Sequence, residues 1–228
     1  MSTASVPRIL IVGGGYAGFY TAWKLEKLLR RDEAEVTIVD PLSYMTYQPF
    51  LPEVAAGSIE ARHAVVAHRR HLHHTNVITA KITGFNHAKK TATVTPLSGD
   101  SWELEYDHIV VTAGAVSRTF PIKGVADNAI GLKTIEEAVA IRDRLITNFD
   151  QASLLPPGPE RDRLLSVTVI GGGFAGIEIF AELRSFASAL LKSYPNISFE
   201  DTRFALVEAT GRIMPEVSLK TSEWVLKN

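Results

Sequence analysis

The chain has 228 residues, with 24 Lys plus Arg against 25 Asp plus Glu, a formal net charge of −1 and 46% apolar residues. That length gives room for one or two domains with a sizeable core, and the near-neutral balance excludes the basic footprint of a nucleic-acid binder. Cysteine is absent, which excludes a disulfide framework, a thiolate metal site and a cysteine nucleophile; no apolar run approaches the roughly 18 residues of a membrane span or forms a signal-peptide core, so the expected compartment is cytoplasmic.

In chain order, the apolar run Ile9-Leu10-Ile11-Val12 reads as a buried parallel strand and leads into Gly13-Gly14-Gly15-Tyr16-Ala17-Gly18. A helix is expected from about Ala17 to Leu29, then a strand, Val36 to Asp40. Glycines in this pattern between a strand and a helix let backbone turn tightly, approach a pyrophosphate and pack helix against strand. The phosphates then meet free helical N–H groups at the positive end of the helix dipole. Asp40 lies 22 residues beyond Gly18, close to the roughly 20 expected of the acid that holds a ribose hydroxyl.

Residues 59–74 read as helical. The runs 76–85, 91–97 and 102–113 alternate and are broken by turn residues, which predicts an antiparallel meander. A helix is expected from about Thr134, with Glu137 as its capping-box partner. Leu155-Pro156-Pro157-Gly158-Pro159 reads as a loop at a domain boundary. The fingerprint then repeats: Val167-Thr168-Val169-Ile170 precedes Gly171-Gly172-Gly173-Phe174-Ala175-Gly176, and the later strand Phe204 to Glu208 again ends in an acid. Two copies imply two dinucleotides. A carboxylate at Glu208 repels a 2′-phosphate, which favours NADH over NADPH. Among the differences between the two copies, Tyr20 of the first is matched by Glu178 in the second, a carboxylate that either serves the helix dipole or faces the junction of the two cofactors.

The order ILIVGGGYAG, VTIVD, a β meander, IVVTAGA, TVIGGGFAGIE and LVEATGRIMP resembles the two-dinucleotide-binding-domain flavoproteins, most closely the amino-terminal portion of the type II, non-proton-pumping NADH dehydrogenases. The resemblance covers essentially the whole chain. It implies an α/β fold of tandem Rossmann-like domains with a small antiparallel β insertion: an FAD-binding domain at 1–125 with its meander at about 76–113, and an incomplete NADH-binding domain at 126–228 with a linker at about 151–165. By the resemblance, Gly13, Gly15, Tyr16, Ala17, Gly18 and Asp40 hold FAD. Gly171, Gly173, Phe174, Ala175, Gly176, Glu178 and Glu208 hold NADH. Gln48 and Pro49, in Tyr47-Gln48-Pro49-Phe50-Leu51-Pro52-Glu53-Val54-Ala55, match the stretch beside the isoalloxazine; Ala113 and Gly114 match a segment close to the flavin nucleotide, though the order here is Thr-Ala-Gly; and Ile82 meets the adenine through its backbone.

The implied reaction passes hydride from NADH to flavin and electrons on to a quinone, with Glu178 assisting quinone protonation. Relatives that route electrons through a thiol are excluded by the missing cysteines. A ferredoxin-type reductase and a non-catalytic FAD/NAD-binding module remain alternative readings. Five histidines, His63, His68, His71, His73 and His74, suggest a metal site, but Arg62, Arg69 and Arg70 among them favour a solvated basic helix, so no metal is expected. From Ser166 onward 63 residues remain, and since a βαβ unit takes about 30 or more, the second domain reads as half built. In a full-length form a homodimer and a membrane surface, at the inner face of the cell membrane, are further expected partners.

Overall fold

The computed structural model describes residues 6–117, 119 and 121–227. Its elements are β1 (Arg8–Val12), α1 (Tyr16–Leu28), β2 (Glu35–Asp40), β3 (Tyr44–Thr46), α2 (Leu51–Ala55), β4 (Val65–Ala67), α3 (His68–His71), β5 (Asn76–Thr79), β6 (Lys81–Asn86), β7 (Thr91–Thr95), β8 (Trp102–Glu105) and β9 (His108–Val111). There follow α4 (Val125–Asn128), α5 (Ile135–Ser153), α6 (Pro159–Leu164), β10 (Ser166–Ile170), α7 (Phe174–Leu190), β11 (Arg203–Val207) and α8 (Leu219–Lys227).

Two compact units emerge, and they interleave. The first comprises residues 1–47 and 65–116, the second 48–64 and 117–228. Compactness thus divides the chain differently from a single cut near residue 125. The reason is apolar: Leu51, Val54 and Ala55 are buried in one cluster with Phe149 of α5 and Leu183 of α7.

In the first unit a parallel sheet runs β5-β2-β1-β9. Its central strands are apolar on both faces, as a sheet covered on both sides requires. Alternation sends Ile11 and Ile38 into a cluster with Phe19 and Ala22 of α1, and Leu10 and Val39 into another with Ala92, Val94 and Tyr106. Helix α1 therefore covers one face and the insertion the other.

Two expectations are corrected here. The meander is three strands, β6-β7-β8. The runs 76–85 and 102–113 each break in the middle, because Val77 pairs with Ile38 and Ile109 with Leu10 in the parallel sheet. Residues 59–74 are not a helix. The β-branched pair Val65-Val66 forms β4, antiparallel to β3 with Met45 opposite Val66, and only the four residues of α3 are α-helical. Pairing with β3, which local periodicity does not report, takes the segment.

In the second unit β10 and β11 pair in parallel, Val167 opposite Phe204 and Ile170 opposite Val207, and α7 connects them. Helix α5 starts with the expected capping box: Thr134 accepts from the Glu137 amide, and Glu137 accepts from the Thr134 amide. The loop after α5 ends at α6, where Pro159 takes the first turn. Among the described residues no helix is long and apolar enough to cross a membrane.

Candidate functional site

The four glycines of the first fingerprint are required for different reasons. Gly13 has φ +101°, and a Cβ there would overlap the carbonyl of Thr112 and lie 3.2 Å from Ala113 Cα. The hydroxyl of Thr112 donates to the carbonyls of Val12 and Gly13, both at 2.9 Å, so the end of β9 is stitched to the loop. A Cβ on Gly14 would overlap the His68 ring, and one on Gly18 would overlap the Gly13 carbonyl. Gly15 is different. Its backbone is extended, φ −69° and ψ −164°, and a Cβ there would meet nothing within 4 Å.

Gly15 therefore faces open space in front of the amino terminus of α1. No side chain caps this helix and no acid sits in its first turn, so neither of these usual sources offsets its leading N–H groups and dipole. This combination fits a pyrophosphate. The second fingerprint repeats much of the design: Gly171 has φ +107°, Gly176 abuts the Gly171 carbonyl, and α7 begins after extended Gly173 with neither side-chain cap nor acid in its first turn; it differs in that Glu216 Oε1 lies 3.4 Å from where a Gly173 Cβ would stand.

The two acids also repeat. Asp40 accepts from the Gly14 amide at 2.5 Å and the Leu42 amide at 2.7 Å. Glu208 accepts from the Gly172 amide at 2.6 Å and the Thr210 amide at 2.8 Å. The Thr210 and Gly172 amides hold the Glu208 carboxyl below its ordinary range, so it is charged at neutral pH and suited to reject a 2′-phosphate.

Glu178 is the fifth residue of α7, beyond the first turn, so the dipole is a weak reason for it. It lines a cavity of about 250 Å³ together with Pro49, Pro52, Glu53, Ala181 and Glu182. Expected residues Pro49 and Glu178 thus meet in the second unit, while Gln48 is exposed on the short turn beside them. Two further carboxylates join Glu178. Glu182 sits one turn from it, a spacing visible in the sequence; Glu53, within the stretch matched to the isoalloxazine but not singled out there, carries a buried Oε2 without a hydrogen bond.

Ala113 passes the first loop, and Gly114 follows it at φ +72°. Ile82 lies on β6 where its register with β7 shifts. Tyr16 and Phe174 open their helices and are largely exposed. The histidines correct the reading of a solvated helix: His68 is fully buried against Gly14, whereas His71 packs edge-on to Phe19. Among the described residues no three His, Cys, Asp or Glu side chains are arranged to hold a metal.

The family described as Pyridine nucleotide-disulphide oxidoreductase matches residues 7–228. The chain is 34% identical to the External NADH-ubiquinone oxidoreductase 2, mitochondrial, of Saccharomyces cerevisiae, over 90% of this chain and 38% of that protein. It is 28% identical to the Type II NADH:quinone oxidoreductase Ndh of Mycobacterium tuberculosis, over 97% of this chain and 48% of that one. The solved structure of NDH2 from Plasmodium falciparum in complex with NADH matches with a TM-score of 0.89 and 25% identity, over 97% of this chain and 46% of that one. The chain spans about half the length, or less, of these relatives.

Proposed function

The chain belongs to the pyridine nucleotide-disulphide oxidoreductase family, and from that premise we propose that it carries the FAD- and NADH-binding elements of a type II NADH:quinone oxidoreductase. The observation that carries the reading is Gly15: with no side chain and nothing within 4 Å of its Cβ position, it leaves open the space at the head of α1 where a pyrophosphate would meet the helix. The relatives' names, NADH-ubiquinone and NADH:quinone oxidoreductase, supply the substrates. The 228 residues contain no cysteine, so no disulphide relay lies among them, despite the family's description.

In this reading residues 1–125 serve FAD and 126–228 serve NADH. FAD, when bound, supplies the two-electron acceptor for the nicotinamide and the donor to the quinone. The protein's part is orientation and exclusion of water. Gly13, Gly15, Tyr16, Ala17 and Gly18 admit the FAD pyrophosphate, Asp40 takes the ribose hydroxyls, and the backbone of Ile82, Ala113 and Gly114 borders the nucleotide. Gln48 and Pro49 flank the ring. Gly171, Gly173, Phe174, Ala175 and Gly176 do for NADH what the first loop does for FAD, with Glu208 on the ribose. Glu178 holds a proton for a quinone oxygen, and the quinone comes from a membrane whose cytoplasmic face the protein touches.

The test is anaerobic. The FAD-loaded protein is mixed with NADH, then with a soluble quinone or with a small iron-sulfur protein, and flavin absorbance is followed. Bleaching by NADH and recovery with quinone support the reading. Recovery with the iron-sulfur protein alone favours a ferredoxin-type reductase, and bound flavin that NADH never bleaches leaves a non-catalytic module.

A further inference from the structure

We propose that His68 is a positioning residue for the first dinucleotide: its Nε2–H holds the Gly14 carbonyl and so aims the Gly15 amide at the pyrophosphate. The inference rests on the reading of the first fingerprint as a dinucleotide site. Nε2 of His68 lies 2.8 Å from Gly14 O, and a carbonyl only accepts, so Nε2 carries the proton. Nδ1 is buried without a partner. The imidazole is fully buried, stacked on Phe19 with ring centroids 6.1 Å apart, and its backbone amide is held by the Ser43 carbonyl at 3.0 Å. An apolar side chain would fill that space without leaving a nitrogen unsatisfied. The one thing the imidazole adds is the bond to Gly14.

A trans peptide is planar, with its C=O and N–H pointing in opposite directions. Holding the Gly14 carbonyl therefore also fixes where the Gly15 N–H points, which is away from His68. The preceding peptide is pinned as well, since Asp40 accepts from the Gly14 amide and Thr112 donates to the Gly13 carbonyl. Two successive peptides are thus locked before a ligand arrives, which removes ordering cost from binding.

The second fingerprint supports this independently. Its corresponding carbonyl, Gly172 O, accepts from the backbone amide of Met214 at 2.6 Å, a residue at φ +47°, while Glu208 holds the Gly172 amide. The same two peptides are held in both units, the preceding one by its amide alone in the second. At the carbonyl in question the donor differs: a histidine side chain in the first, a strained backbone N–H in the second.

The test compares the 228-residue chain with His68→Leu and His68→Gln, using FAD titration by fluorescence quenching and the ³¹P resonances of bound FAD. His68→Leu should raise the FAD Kd about tenfold, equivalent to about 1.4 kcal/mol, and shift the pyrophosphate resonances. Gln, whose terminal NH2 reaches the same carbonyl, should return both to near the unaltered values, and NADH affinity should not change in either variant. If His68→Leu binds FAD as tightly as the unaltered chain with the same ³¹P spectrum, His68 has no such role while the dinucleotide reading stands. Absence of FAD binding by the unaltered chain overturns the dinucleotide reading and the inference with it. Should Leu lower the thermal midpoint, the Gln variant decides: weak FAD binding by folded His68→Gln protein overturns the proposal.

Discussion

Gly15 and Gly18 sit three residues apart, yet replacing them should fail in different ways. A Cβ at Gly18 collides with the Gly13 carbonyl, so Gly18→Val should destabilise the protein by about 3 kcal/mol or more. Gly15 is extended and faces open space, so Gly15→Val should fold with a thermal midpoint close to that of the unaltered chain and still lose FAD. Flavin content after purification, read beside a melting curve, checks both; equal flavin in Gly15→Val and the unaltered chain would remove the pyrophosphate from this loop. Glu208 carries the corresponding prediction for the second nucleotide. Its amide bonds hold it below the ordinary carboxylate range, so Glu208 stays ionised from neutral pH down to about pH 5, and any change of the preference for NADH over NADPH in that interval should follow the 2′-phosphate, whose second ionisation lies at about pH 6. Glu208→Gln should narrow that preference about tenfold. Rapid-mixing reduction of bound flavin by each nucleotide measures it, and equal reduction of the unaltered protein by both would deny Glu208 this role.

At the scale of elements, α1 is fastened to the chain that follows β4 by the packing of Phe19 on His68 and His71 and by the carboxylate of Glu26. Glu26 accepts from the amides of His73 and His74 at 3.1 and 2.8 Å and from the Thr75 hydroxyl at 2.7 Å. Burial pushes its carboxyl up, but the Thr75 hydroxyl and the His74 and His73 amides outweigh that and hold it below its ordinary value. A depressed folded value means the stabilisation is present above the unfolded carboxylate range, about pH 4.3, and is lost as pH falls through the folded value. Glu26→Ala should cost about 1–2 kcal/mol at pH 7 and much less at pH 3, measured by urea unfolding at the two values. A cost that is the same at both would show that the charge is irrelevant. The same fastening explains why residues 59–74 do not form the helix that their composition suggests. Their histidines and arginines are compatible with an exposed helix, and only β3 and Glu26, both supplied from elsewhere in the chain, draw them into β4 and a turn. The capping box at α5 was legible because every participant lies within four residues.

At the scale of the molecule, the described residues of the second unit form a parallel sheet of two strands, with Ile170 and Val207 49% and 52% exposed. Parallel sheets are ordinarily covered on both faces, and two strands alone are marginal. Nicotinamide and flavin must be held within near-attack distance for transfer. We therefore expect little NADH:quinone turnover from residues 1–228 compared with a chain of the relatives' length. Steady-state NADH oxidation with a soluble quinone tests this, and comparable rates would show that the shorter chain already holds the geometry.

Sequence alone was enough for the two glycine loops, their strands and helices, the two acids and the capping box. Each is a local device whose partners sit at fixed, short offsets along the chain or follow from strand and helix periodicity. Tertiary structure alone decided the membership of 48–64 in the second unit, the allotment of β5 and β9 to the parallel sheet, the cavity that joins Glu53 and Glu182 to Glu178, and the burial of His68. These depend on which distant surfaces bury the most apolar area and which far carbonyl or amide satisfies a buried polar group. Gly14 and His68 are 54 residues apart, and nothing in either neighbourhood names the other.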